Sequence, residues 1–144
     1  MERVLVNIPS NPRFERVVRA SADEIGQALG LAPERIEDLK LAVSEAVNNA
    51  IEHGNHREAA RIVEVTFILQ HETLEIRIRD EGGGVDQLDF SRRVVEEQNL
   101  ESGMHRGFGM YLIGALVDDY ELETTQHGTT LILRLYRKGQ QDVE

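Results

Sequence analysis

The chain has 144 residues, 40% of them apolar, and a formal charge of -10 from 16 basic and 26 acidic side chains. That length suits one globular domain, and the charge removes the broad cationic footprint that duplex nucleic acid demands, so no direct nucleic-acid partner is expected. Without cysteine there is no disulfide framework, thiolate metal site or cysteine nucleophile, and any chemistry must rest on oxygen and nitrogen groups.

Val4, Val6 and Ile8 alternate with polar residues, which predicts a short strand over Arg3 to Ile8 that Pro9 ends. An amphipathic helix follows from Asn11, with Pro12 at its first position. Its apolar stripe runs through Phe14, Val17, Val18, Ile25, Ala28 and Leu29, and Gly30 stops it. A second helix starts near Pro33, carries Ile36, Leu39, Val43, Ala46, Val47 and Ala50 on one stripe, and ends around His53-Gly54. Arg61 to Leu69 and Leu74 to Arg79 alternate again and read as a hairpin. After Asp80-Glu81-Gly82-Gly83-Gly84 the stretch Asp86 to Met104 is mostly polar, and a connection of that length inside a compact domain is often a lid, here expected over about 86–106. Gly107 to Val117 resumes a helical period, and Tyr120 to Thr125 and Thr129 to Tyr136 close the chain as strands around His127-Gly128. The order predicts an α+β fold, a two-layer α/β sandwich with helices on one face of a mostly antiparallel sheet, in a single domain over 1–138 with a polar tail at 139–144. No apolar run approaches the ~18 residues needed to cross a bilayer and no export signal is visible, so a cytoplasmic protein without a membrane partner is expected.

On the second helix, Glu45, Asn49 and Glu52 fall in one sector while Leu39, Val43, Ala46 and Ala50 lie away from it. An amide oxygen suits Mg²⁺, which takes its other oxygens from water and phosphates, and a carboxylate one turn away can deprotonate an attacking hydroxyl. Asp80 ends a strand ahead of glycines. It can accept from an exocyclic amine such as that of adenine, with Gly82 and Gly84 letting backbone approach a ligand, although an ordinary glycine turn has the same composition. Gly107-Phe108-Gly109 opens a helix, a place where backbone N–H groups favour anions, and is weak evidence alone. No P-loop, no G-x-G-x-x-G after a strand, no H-E-x-x-H and no G-x-S-x-G occurs.

Taken in order, these pieces resemble a known set. Val43 to Gly54 resembles the N box of ATPases of the gyrase, heat-shock chaperone, histidine kinase and MutL superfamily. Arg79 to Val85 looks like its first glycine box, Arg106 to Met110 like its second, and Gly128-Thr129-Thr130 like its closing strand motif. The form Glu-x-x-x-Asn-Ala-x-x-His-Gly, the short chain and the Asn11 to Val17 helix are most similar to the bacterial anti-sigma-factor serine kinases. The resemblance spans nearly the whole chain. It implies the Bergerat, or histidine kinase-like ATPase, fold with ATP and Mg²⁺ held between the helical layer and a lid.

Carried over by position, the resemblance makes Asn49 the Mg²⁺ ligand, Glu45 the general base and Asp80 the partner of the adenine amine. Gly82, Gly84, Gly107 and Gly109 shape the pocket, and Thr130 supports the adenine end. It also implies phosphorylation of a serine on a STAS-type anti-sigma-factor antagonist, sequestration of a sigma factor by a homodimer, and an arginine for partner contact at Arg16. His105-Arg106 stands where some members have arginine and a small residue, and Asn48 where many have threonine. Two other readings stay open, a kinase of another partner-switching pathway and a nucleotide-dependent regulatory binding module. Glu45 beside Asn49 argues against the second, since binding alone needs no base. About thirty residues precede the second helix, too few for the two-helix phosphoacceptor module of a histidine kinase.

Overall fold

The computed structural model describes residues 1–82 and 110–137. In chain order the elements are β1 (Glu2–Pro9), α1 (Glu15–Ala28), α2 (Pro33–Asn49), β2 (Ile62–Leu69), β3 (Thr73–Arg79), a third helix over 110–116, β4 (Asp119–Thr125) and β5 (Gly128–Tyr136). The lid expected over about 86–106, the glycines at 84, 107 and 109 and the tail at 139–144 lie outside the described residues.

Local chemistry sets the helix ends. The Asn11 side chain accepts from the Arg13 N–H at 3.0 Å and opens a 3-10 turn, Pro12–Phe14, that runs into α1. At the far end Gly30 takes φ +74°, and the N–H groups of Gly30 and Leu31 donate to Gln27 and Gly26 carbonyls, each at 3.0 Å, which satisfies the last carbonyls of the helix. Between these stops α1 buries Val18, Ala22, Ile25 and Gly26, a spacing of i, i+4, i+7 and i+8. Val17 and Ala28, expected on this stripe, are exposed instead; one residue of offset turns a helical side chain by about 100°, and Val18 already fills the inward direction.

The strands form one antiparallel sheet in the order β1-β2-β3-β5-β4. Because side chains alternate across a strand, the sheet has two chemically distinct faces. One face presents Val63, Val65, Phe67, Leu74, Ile76, Ile78, Leu131, Leu133 and Leu135 to Val18, Leu39, Val43, Val47, Ile51 and Ile113 of the helical layer, and all of these are buried. The other face carries cross-strand rows that the register fixes, among them Glu64, Arg79, Thr130 and Glu123, and Ile68, Glu75, Arg134 and Asp119. At the sheet edge β1 buries Ile8 only; Val6 is half-buried and Val4 exposed, because the helical cover thins towards that corner. Among the described residues no helix is long and apolar enough to cross a membrane.

The stripe expected on α2 is buried in full, but the helix does not keep one pitch to its end. After Asn49 the backbone widens into a π turn, Ala50–Gly54, and the Asn55 N–H reaches back five residues to the Ala50 carbonyl at 2.8 Å. His56 and Arg57 then take left-handed φ values of 52° and 59° before the chain enters β2.

Candidate functional site

Glu45 and Asn49 stand one turn apart on α2, both half-buried, on the side that its core residues leave free. The Asn49 amide nitrogen donates to Met110 Sδ at 3.6 Å, so the helical segment over 110–116 contacts this side chain. That weak contact uses the nitrogen and leaves the amide oxygen as the hard ligand atom. Glu52, placed in the same sector by an ideal helix, is turned by the wider π geometry and pairs with Arg57 at 3.0 Å.

Asp80 follows β3 directly and is buried, with 7% of its surface exposed. Its N–H donates to the Thr129 carbonyl at 2.9 Å, while its Oδ1 accepts from the N–H groups of Gly82 at 3.0 Å and Thr129 at 3.2 Å. Two backbone donors on one oxygen fix the rotation of the carboxylate. The remaining oxygen, Oδ2, is turned to Gly54, where an added Cβ would overlap it; a Cβ on Gly82 would overlap the Gly54 carbonyl, and one on Gly128, at φ +143°, the Asp80 carbonyl. Three glycines therefore let three backbone segments meet around one carboxylate. Gly54 is also the last residue of the π turn that continues α2, so the rod bearing Glu45 and Asn49 ends against Asp80. Gly54 lies nine positions after Glu45, about 13 Å along the axis at the helical rise of 1.5 Å per residue.

The chemistry of these groups fits a purine nucleotide. The acceptor sits among glycines packed closely against backbone. Across the β4-β5 ladder from Thr129, the Thr124 hydroxyl is buried with no hydrogen-bond partner. Among the described residues no group of three or more acidic or histidine side chains is arranged to hold a metal, so a cation here would take most of its ligands from phosphates and water, as Mg²⁺ does.

Of the residues singled out from sequence, Glu45, Asn49, Asp80 and Gly82 lie along this line from α2 to the exit of β3. Thr130 is not brought to it. Thr130 pairs with Arg79 and Glu123 and lines a cleft on the opposite face of the sheet with Arg77, Thr66 and Glu64, because alternation gives the inner face to its neighbour Thr129. Arg16 is exposed on α1, beside an open groove lined by Val4, Val17, Ala20 and Ile25. Sequence reasoning passed over Asn55, which is fully buried, and the part played by Gly54 and Gly128. Only the glycines left a trace, since Gly54 ends the N box and Gly128 opens the closing strand motif.

The outer face has its own electrostatics. Burial alone would raise the Glu75 pKa, but hydrogen bonds from Arg77 at 2.6 Å and Arg134 at 3.0 Å outweigh it and hold the carboxyl below its usual range. Arg134 is in turn held more firmly protonated, first by Glu121 against the opposing effect of burial, then by Glu75 and Asp119.

Residues 8–135 match the model of the histidine kinase-like ATPase domain family. The serine-protein kinase RsbW of Oceanobacillus iheyensis is 30% identical over 134 residues, 91% of this chain and 84% of that protein. RsbW of Bacillus velezensis is 27% identical over 146 residues, 97% and 89% of the two chains. The crystal structure of the RsbU and RsbW domains of a Mycobacterium tuberculosis protein superposes with a TM-score of 0.67 at 21% identity, covering 94% of this chain and 32% of that one. The histidine kinase domain of a blue-light activated kinase from Erythrobacter litoralis has a TM-score of 0.58 at 15% identity, covering 94% and 64%. Fold, boxes and relatives agree, and the chain belongs to the histidine kinase-like ATPase family and, within it, to the serine-protein kinases of the RsbW type.

Proposed function

We propose that this protein is an ATP-dependent protein-serine kinase and anti-sigma factor, which sequesters a sigma factor and phosphorylates a serine of a STAS-type antagonist. The observation that carries the reading is the continuous path from Glu45 and Asn49 along α2 to the glycine-enclosed carboxylate of Asp80. ATP supplies the γ-phosphoryl group, with its charge neutralised by Mg²⁺.

The residues divide the work by position. The Asp80 carboxylate accepts from the exocyclic amine of adenine, while backbone donors to Oδ1 keep it from turning. Gly82, with Gly84, Gly107 and Gly109, keeps Cβ atoms out of the nucleotide's way. Thr129, on the Asp80 face, takes the supporting role at the adenine end that sequence resemblance gave to Thr130. The Asn49 side-chain oxygen would hold Mg²⁺, which would neutralise phosphate charge. Glu45, one turn earlier, takes the proton from the attacking serine hydroxyl on a carboxylate oxygen; the serine oxygen bonds to the γ-phosphorus of ATP as the bond from that phosphorus to the bridging oxygen breaks and ADP leaves. Arg16 presents a planar fork of donors for an acidic group on the sigma factor or the antagonist, with the protein acting as a cytoplasmic homodimer.

Transfer of labelled phosphate from ATP to a panel of STAS-type antagonists tests the reading directly. Labelling of an antagonist serine, lost on removing Mg²⁺, is the expected outcome. ATP binding without transfer to any antagonist would favour a nucleotide-dependent binding module.

A further inference from the structure

Asn55 follows the π turn and is fully buried, at 0% exposure, between segments that are far apart in sequence. Its amide nitrogen donates to Ser10 Oγ at 2.8 Å, just beyond β1, and to the Ile62 carbonyl at 3.2 Å, where β2 starts. Its oxygen accepts from the Glu81 N–H at 2.7 Å, the peptide that immediately follows Asp80. One side chain therefore ties the end of the α2 rod to the residue after the nucleotide-reading carboxylate. The Glu81 side chain adds a second strap by accepting from the Ile62 N–H at 2.8 Å, and Ser10 Oγ donates to the Arg61 carbonyl at 2.8 Å.

Asp80 is thus gripped from two sides. Thr129 of β5 holds its carboxylate and its N–H on one side, and Asn55 holds the following peptide on the other. We propose that Asn55 is a positioning residue for base recognition: it sets the peptide at Glu81, and through it the aim of the Asp80 carboxylate, relative to the α2 end that carries Asn49 and Glu45. A buried amide suits the task because it donates and accepts at once, and leaving either half unpaired is costly, so the four segments share one arrangement. The inference rests on the assignment of Asp80 to the adenine amine.

Base preference separates positioning from mere support of the fold. GTP presents a carbonyl where adenine has the amine, so a well-aimed Asp80 favours ATP strongly, and a loosened one loses preference together with affinity. Calorimetric titration of ATP and GTP against the full chain should show that Asn55→Ala weakens ATP binding about ten-fold, a loss that corresponds to one or two hydrogen bonds, and narrows the ATP-over-GTP ratio. Asn55→Asp, which keeps the acceptor for Glu81, should recover a large part of that ratio whatever its melting temperature. If Asn55→Ala does not fold, Ser10→Ala, which removes one acceptor of the amide, carries the test and should give about a two- to three-fold loss with the ratio moving the same way. Unchanged affinity and ratio in the folded variant would overturn the proposal. Asp80→Asn run alongside keeps the two ideas apart: if it binds ATP as the parent does, the adenine assignment fails; if it loses ATP while the Asn55 and Ser10 variants keep both affinity and preference, only the role of Asn55 falls.

Discussion

The two faces of the sheet hold their polar groups in opposite ways. On the inner face Asp80 is nearly out of solvent and is oriented by backbone N–H groups, with glycines where side chains would otherwise stand. On the outer face Glu75, Arg77, Arg134, Asp119 and Glu121 neutralise one another sideways, over Ile132 and Ile68, which are buried beneath them. Backbone donors cannot swing away, so the inner carboxylate has one aim, whereas long paired side chains tolerate rearrangement. A carboxylate with one aim suits recognition of a ligand, and the proposed base contact is on the first face.

The largest effects should therefore come from single atoms on the α2-Asp80 line. Glu45→Ala should slow phosphoryl transfer by roughly the 10²–10⁴-fold of a lost general base while ATP affinity stays near that of the parent, as single-turnover assays with saturating ATP would show. Full transfer activity in that variant would assign the base to another residue. Asp80→Asn should come next, since it sets an amide against the adenine amine and costs a few kcal/mol of ATP affinity, about the penalty of an unpaired buried polar group. Titration calorimetry that found equal affinity would remove the inner face from base recognition.

Most of the fold was legible because it follows period. The α2 stripe, the alternation of β2, β3 and β5, and the Asn11 and Gly30 boundaries are each set by local chemistry that the order of residues displays. What escaped depends on contacts between distant segments. Nothing near Asn49 announces a π turn, and Glu52, within that turn, pairs with Arg57. Two adjacent threonines, 129 and 130, differ in which face they take: Thr129 shares the inner face with Leu131, Leu133 and Leu135, and Thr130 lies in the outer row with Arg79 and Glu123. Asn55 has polar neighbours in sequence and lies in no stripe; its burial comes from Ser10, Ile62 and Glu81 closing around it.

That threonine pair offers a direct comparison of the faces. Thr129→Val and Thr130→Val remove the same hydroxyl from adjacent positions. The first should weaken ATP binding by about 1 kcal/mol, the usual worth of one hydrogen bond, and the second by a few tenths at most. Competition binding with a fluorescent nucleotide would measure both, and a larger effect at 130 would reverse the assignment of the faces. Arg16→Ala, on α1, should instead lower affinity for a sigma factor or antagonist by about 2 kcal/mol and leave ATP affinity alone. Pull-down with a cognate partner would return Arg16 to an ordinary surface charge if nothing changed.

The smallest effect should come from the outer face, and its dependence on pH identifies its origin. In the folded chain Glu75 has a lowered pKa against the opposing effect of burial because Arg77 and Arg134 donate to its ionised form. A depressed carboxyl stabilises the fold fully above its unfolded pKa, about 4.3, and that stability is lost as pH falls through the folded value. Arg134→Gln takes away one of the two donors, so Glu75 should titrate closer to its ordinary range and contribute less at neutral pH. The variant should be less stable than the parent by about 1 kcal/mol or less at pH 7, with the gap narrowing towards pH 3 and also in high salt, since these charges are partly solvated. Urea unfolding at several pH values would measure the gap. A difference that stayed constant from pH 7 to pH 3 would mean that Arg134 acts through the packing of its stem over Ile132 and not through its charge.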